Sequence, residues 1–306
     1  MAAETLSIRD AAQCAPASLL NLQAPRPGIA GLDLPWPLIM GIVNVTPDSF
    51  HDGGRRLDAK AAIAHGRALA SAGAAILDIG GESTRPDADA VPVEEELARV
   101  IPVIEALAGE GLVLSVDTRH AMVMTAAVKA GASMINDVSA LRHDPDGLAC
   151  AAGLAVPVVL MHSRGEPSSM QSMTHYDDLI MDVFEALADR VAACVAAGMD
   201  GGQLLIDPGL GFAKNAAQSA ELLRQMTSFH ALGCPILIGA SRKSFVGKLT
   251  GAARSEDRLP GSLAAAFWAM LQGAAVLRVH DVAETAQTMA MFRSLCYKDH
   301  EQTNAE

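Results

Sequence analysis

Eight short runs of apolar, often β-branched residues recur along this 306-residue chain, and longer segments rich in Ala, Leu, Glu and Arg separate them. The runs fall at Leu38–Val45, Ala75–Gly80, Val113–Asp117, Met134–Val138, Pro157–His162, Leu204–Asp207, Pro235–Ala240 and Ala275–His280. Most are continuously apolar rather than alternating, the pattern of parallel strands covered on both faces. Helices are expected at Asp58–Ala72, Val93–Ala108, Arg119–Ala130, Asp177–Ala197, Ala217–Phe229, Ser262–Gln272 and Val282–Phe292, with a shorter one at Asp144–Ala152. Gly73, Gly131, Gly153, Gly198 and Gly273 read as their stops. Eight strand–helix units joined by right-handed crossovers predict an α/β fold, a (β/α)8 TIM barrel in a single domain. An open doubly wound sheet is the alternative, but GxGxxG does not follow the first strand. The barrel is assigned to residues 31–295, after a Pro- and Ala-rich lead-in over 1–30 and before a polar tail over 296–306.

With 50% of residues in the hydrophobic set, the chain has enough apolar material for one large core. Its net charge of -12 disfavours nucleic acid and anionic membranes as partners. No apolar run approaches the roughly 20 residues of a membrane span. The N-terminus lacks an apolar signal-peptide core, and five scattered cysteines without a CxxC pair suit a reducing, cytoplasmic setting. An HExxH helix, a GxSxG elbow and a GxxxxGK[ST] loop are all missing, which disfavours zinc hydrolysis, serine hydrolysis and P-loop chemistry.

Function is expected where the strands end. Polar residues close nearly every run: Asn44, Asp78 with Glu82, Asp117, Asn136, His162, Asp207, Ser241, and Arg278 with His280. In a barrel these ends converge on one mouth. Asp137, Ser139 and Asp281 read equally well as turn or helix caps. Asp117, Asn136 and Asp207 could accept N–H bonds from the edge of a heterocycle such as an aminopterin, or could serve as an acid–base pair. Arg278 and His280, two residues apart, share a face, and with Lys243 they mark the position where this fold often binds phosphate.

Eight segments in order (MGIVNVTPDSFHDGG, LDIGGESTRP, SVDT, INDVS, LMHSRGEP, IDPGLGF, GASRKSF and LRVHDV) resemble dihydropteroate synthase, the sulfonamide-target family of folate synthesis, over about Leu38 to Ala290. The resemblance implies a transferase. It condenses 6-hydroxymethyl-7,8-dihydropterin pyrophosphate with p-aminobenzoate to give 7,8-dihydropteroate and pyrophosphate, with Mg2+ as cofactor. By motif position it assigns the pterin to Asp117, Asn136, Met161, Asp207 and Lys243. Pyrophosphate falls to Asn44, Arg278 and His280, with Asn44 also a metal ligand and Arg278 stacking on the pterin. The p-aminobenzoate side falls to Phe50, Thr84, Arg85, Pro86, Phe212 and Ser241. Lys243, Arg278 and Asp52 are the implied catalytic residues. The family habit is a homodimer. Ser163, Leu210 and Ala213 depart from the residues most common in the family, and His51 occupies a variable lid position. A methyltetrahydrofolate–corrinoid methyltransferase would share the pterin carboxylates, but it needs neither pyrophosphate cations nor the Ser83–Pro86 loop. A catalytically silent pterin-binding barrel is opposed by the intact Asn44, Lys243 and Arg278.

Overall fold

A computed structural model describes residues 28–32, 37–45, 55–83 and 90–296. The eight strands are β1 (Leu38–Asn44), β2 (Ile76–Gly80), β3 (Val113–Asp117), β4 (Met134–Asp137), β5 (Val158–Met161), β6 (Leu204–Asp207), β7 (Leu237–Ile238) and β8 (Val276–Val279). All pair in parallel, in the order β6-β5-β4-β3-β2-β1-β8-β7. A single bridge between Ile206 and Ile236 closes the ring, supported by the Ile206 N–H donating to the Pro235 carbonyl at 3.0 Å. β7 is shorter than its apolar run suggests.

The described helices are α1 (Arg55–Ser71), α2 (Val93–Ala108), α3 (Ala121–Ala130), α4 (Gly147–Leu154), α5 (Leu179–Ala196), α6 (Ala216–Arg224), α7 (Ser244–Thr250), α8 (Leu259–Leu271) and α9 (Val282–Cys296). Most of the helix boundaries shift by a few residues. The first helix begins at Arg55 rather than at Asp58. His120 caps α3, so Arg119 stays outside it. The helix expected over 217–229 breaks after Arg224 into a 3-10 segment, Met226–Leu232. Gly153 lies inside α4, which instead stops at Ala155 in the left-handed region. The short α7 had no counterpart in the sequence reading.

Strand alternation builds two interior layers. The N-terminal layer is apolar: Met40, Ile76, Met134, Val159, Leu205, Leu237 and Val276 pack together, and Ile29 from the lead-in joins them. Two residues further along β2, β4, β6 and β8 the same face turns polar, with Asp78, Asn136, Asp207 and Arg278, whereas β1, β5 and β7 place Ile42, Met161 and Gly239 at that level. The outward residues, among them Ile39, Leu77, Val116, Leu160, Ile206, Ile238 and Leu277, bury against the helices as the main core. This division explains why the runs read as continuously apolar until their last residues. The barrel has a dry floor at one end and a polar hollow at the other.

Gly131 ends α3 with φ 118°, and a Cβ there would lie 2.4 Å from the Cβ of Ala108 on α2. Gly131→Ala should therefore destabilise the fold by about 1–3 kcal/mol. A urea-denaturation midpoint equal to that of the parent would contradict this packing.

Candidate active site

Arg278 organises the polar layer. Strand β8 is separated from β3 by β1 and β2, so only a long side chain spans the hollow. The Arg278 Nε donates to Asp78 Oδ2 at 2.6 Å, and Nη2 donates to Asp117 Oδ2 at 2.6 Å. Asn136 Nδ2 also donates to Asp78 Oδ2, at 3.0 Å. Four strands thus meet through one guanidinium and one carboxylate oxygen. Asp78 is fully buried, and its Oδ1 has no hydrogen-bond partner; neither has Ser115 Oγ, its register neighbour on β3.

Burial pushes the Asp117 carboxyl up to about 7; Arg278 opposes the rise, and Asp78, Asp137 and Glu82 add to it. Burial also works against the charge on Arg278, but Asp78 and Asp117 outweigh it and hold the guanidinium protonated. The carboxylates would repel one another without the cation between them.

The other half of the hollow comes from β6 and β7. Asp207 ends β6 and accepts the Gly209 N–H at 2.7 Å. Burial raises its pKa, while Lys243 pulls it down. Lys243 donates to the Leu210 carbonyl at 2.6 Å, and its Nζ lies 4.5 Å from the Phe212 ring centre. Burial lowers the Lys243 pKa to about 8, against the attraction of Asp207. Met161 is buried opposite Asp207 in the β5–β6 register. Asn44 ends β1 opposite Gly80 and is half-buried.

The turn after β6 is held from below. Gly209 adopts φ 72°, and a Cβ there would lie 2.0 Å from the His162 carbonyl oxygen, so only glycine fits. Lys214 is buried, which pushes its pKa well below the usual lysine range, and its Nζ donates to His162 Nδ1 at 2.8 Å, the Gly209 carbonyl at 3.0 Å and the Phe212 carbonyl at 2.9 Å. Burial and the adjacent Lys214 push the His162 pKa far down, which leaves the ring neutral and able to accept that bond.

On the β8 side, Ser241 Oγ lies 3.0 Å from His280 Nδ1 and accepts the His280 backbone N–H at 3.1 Å. Arg242, at φ 55°, pairs with Asp281. Asp137 takes the cap role: its carboxylate accepts the N–H groups of Ser139 and Leu141 at 2.7 and 2.9 Å.

The structure therefore brings together Asp117, Asn136, Asp207, Lys243 and Arg278, with Met161 and Phe212 beside them and the Ser241–His280 pair on the β8 side. Phe50, Asp52, Thr84, Arg85 and Pro86 lie outside the described residues. Sequence reasoning noted Asp78 as a strand end but gave it no role, and it missed Ser115 and Lys214. For Asp78 a signal existed: Ile76, Asp78 and Gly80 share one strand face, and Asp78 is the charged residue on it.

Residues 40–280 match the family described as pterin binding enzyme. The chain is 48% identical over 259 residues to the dihydropteroate synthase of Escherichia coli (strain K12), covering 84% of this chain and 91% of that protein. A Xanthomonas albilineans dihydropteroate synthase with 4-aminobenzoic acid superimposes with TM-score 0.85 at 51% identity, over 90% of this chain and 100% of that one. The same enzyme in complex with 7,8-dihydropteroate superimposes with TM-score 0.81 at 49% identity, over the same shares of both chains.

Replacing Asp78 by Asn would remove a fully buried charge that faces a buried guanidinium. Asp78→Asn should lower stability by about 3–5 kcal/mol, the usual cost of removing one partner of a buried pair. Chemical denaturation measures it, and a loss below the error of the method would show that Asp117 alone holds Arg278.

Proposed function

The chain belongs to the pterin-binding enzyme family as one of its dihydropteroate synthases, and from that premise we propose how the residues of its barrel mouth divide the reaction. The activity joins 6-hydroxymethyl-7,8-dihydropterin pyrophosphate to p-aminobenzoate. The methylene C–O bond to pyrophosphate breaks, a C–N bond to the aromatic amine forms, and the amine nitrogen loses a proton. The methyltransferase alternative gives way, because the curated and structural relatives are dihydropteroate synthases.

In this reading the pterin lies in the hollow among Asp117, Asn136, Met161, Asp207 and Lys243. Carboxylates accept bonds from its N–H edge, and the Lys243 ammonium donates to an acceptor on the ring. The observation that carries the reading is Arg278 held 2.6 Å from both Asp78 and Asp117, in the same hollow as Lys243 and Asp207. That arrangement keeps a permanent cation beside the departing pyrophosphate. It also sets carboxylates near the positive charge that spreads into the dihydropterin as the C–O bond breaks. Arg278 stacks over the pterin face as it bonds the leaving group. His280 joins it at the pyrophosphate, while Ser241 and Phe212 border the p-aminobenzoate side with Phe50, Asp52, Thr84, Arg85 and Pro86. The amine of p-aminobenzoate is a free base near neutral pH, so positioning suffices and no dedicated general base is required.

Mg2+ prefers hard oxygen donors. The Asn44 amide suits it: it ends β1 on the interior face, and among the described residues no hydrogen bond engages its side chain. Held there, Mg2+ would supply neutralisation of the leaving group's charge. We further read the enzyme as a cytoplasmic homodimer. An apolar groove of about 250 Å3 between α6, α7 and α8, where Leu249 and Trp268 remain exposed, supplies a face for the second copy. No described helix is long and apolar enough to cross a membrane.

The purified protein given both substrates and Mg2+ should release dihydropteroate and pyrophosphate in equal amounts; no product would refute the reading. Excess EDTA should stop turnover. Arg278→Ala should lower kcat by about 10²–10³, the usual cost of removing one transition-state charge stabiliser. Retained activity would remove Arg278 from the leaving-group site.

The pH profile carries a sharper expectation. Asp117 must be ionised to hold the pterin, so kcat/KM should rise as pH passes about 7. Lys243 must be protonated, so it should fall as pH passes about 8. The two groups share a hollow, and the limbs belong to the coupled set. Lys243→Arg should move the alkaline limb up by more than one pH unit. A flat profile from pH 6 to 9 would contradict both assignments.

A further inference from the structure

Glu96 lies in the first turn of α2, is fully buried, and takes no part in the Arg278 cluster. Neither of its carboxylate oxygens accepts a hydrogen bond of ordinary geometry, although the Thr118 hydroxyl lies beside it. A carboxylate so placed needs a cation or a proton. Glu82, which follows β2, and His120, which caps α3, each direct a donor atom to the same spot. One ligand atom from each of the three residues lies within 4.8 Å of the other two. The His120 Nε2 is 3.9 Å from Glu96 Oε2, too far for a hydrogen bond. Two donors each about 2.0–2.2 Å from a shared tetrahedral ion lie about 3.4 Å apart, so a small inward shift of the His120 ring brings the pair to coordination distance.

The surrounding charge agrees. Arg119 donates to both Glu82 oxygens at 3.0–3.2 Å and to Glu166 at 2.6 Å, and the Val91 N–H donates to Glu82 Oε1 at 3.2 Å. With Glu96 ionised, the carboxylates of Glu82, Glu96 and Glu166 against the single guanidinium of Arg119 leave two negative charges, which a dication neutralises. Burial lowers the His120 pKa, so its imidazole is neutral and has a lone pair to give. His143 packs edge-on against that ring at 5.1 Å and helps fix its orientation.

We propose that Glu82, Glu96 and His120 form a structural site for one divalent transition-metal ion of the Zn2+ class, separate from the pyrophosphate-linked Mg2+ at the barrel mouth. Two carboxylates and one imidazole make a borderline donor set that favours Zn2+ over Mg2+, with water completing the tetrahedron. The ion ties the loop after β2, the start of α2 and the start of α3 into one unit. It also gives the buried Glu96 a partner, with Glu82 shared between the ion and Arg119. The proposal rests on these residues alone and not on the synthase reaction.

The full chain, stripped with chelator and dialysed, is titrated with Zn2+ by calorimetry, and separately with Co2+ while the visible d–d absorption is followed. One high-affinity equivalent per chain is expected, with a Co2+ spectrum of four-coordinate intensity. Glu96→Gln and His120→Ala should each weaken that affinity by more than about tenfold and remove the Co2+ bands. Millimolar Mg2+ should not compete. Glu96→Gln is a neutral isostere that suits the buried position, and His120→Ala carries the test alone should the first variant fail to fold. No saturable uptake by the parent chain, or full affinity kept by either folded variant, overturns the site.

Discussion

One guanidinium makes the polar half of this barrel possible. Asp78 and Asp117 occupy neighbouring strands on the interior face, where two bare carboxylates would repel each other in a medium of low polarity. Arg278 crosses from β8 and bonds both at 2.6 Å. Asn136 then shares the Asp78 oxygen that Arg278 uses, so the amide is aligned by the same contact. Much of the hollow's geometry depends on this bridge, including the elevated Asp117 carboxyl that ties the chemistry to pH. A ligand that competes for Arg278 must also leave the two acids with another source of positive charge. In the proposed reading, a dihydropterin turning cationic would be such a source.

The strands were readable because each outer face is buried against a helix and each inner face is apolar for its first residues. The change to polar side chains falls at the strand ends, and the sequence shows it directly at Asn44, Asp117, Asn136, Asp207 and Arg278. Other features depend on distance in sequence. Asp78 looks like one more terminal acid until Arg278, 200 residues away, is placed against it. Glu96 sits in Val93-Glu94-Glu95-Glu96, which reads as an exposed, acid-rich helix start; only the packing of Gly81 against its side chain shows that the third acid points inward. Lys214 resembles a solvent-facing lysine before a capping Asn215, yet it is buried beneath the turn. The short α7 escaped notice because seven residues with an internal glycine carry little periodicity, and no side chain caps its start.

Lys214 also explains how a turn containing two glycines can be rigid. A buried lysine nitrogen bonded to two of the turn's carbonyls and to an imidazole on the neighbouring strand end replaces the regular ladder that the turn lacks. The neutral state of His162 is part of the arrangement, since a protonated ring would present a donor to a donor.

The ring of strands is joined at one point by little more than a single bridge, between Ile206 and Ile236. Asp207 stands at one lip of that seam and Lys243 beyond the other. Under the proposed assignment, a substrate gripped by both residues would suture the barrel across its thinnest join. Occupancy of the hollow and integrity of the cylinder are then a single cooperative property.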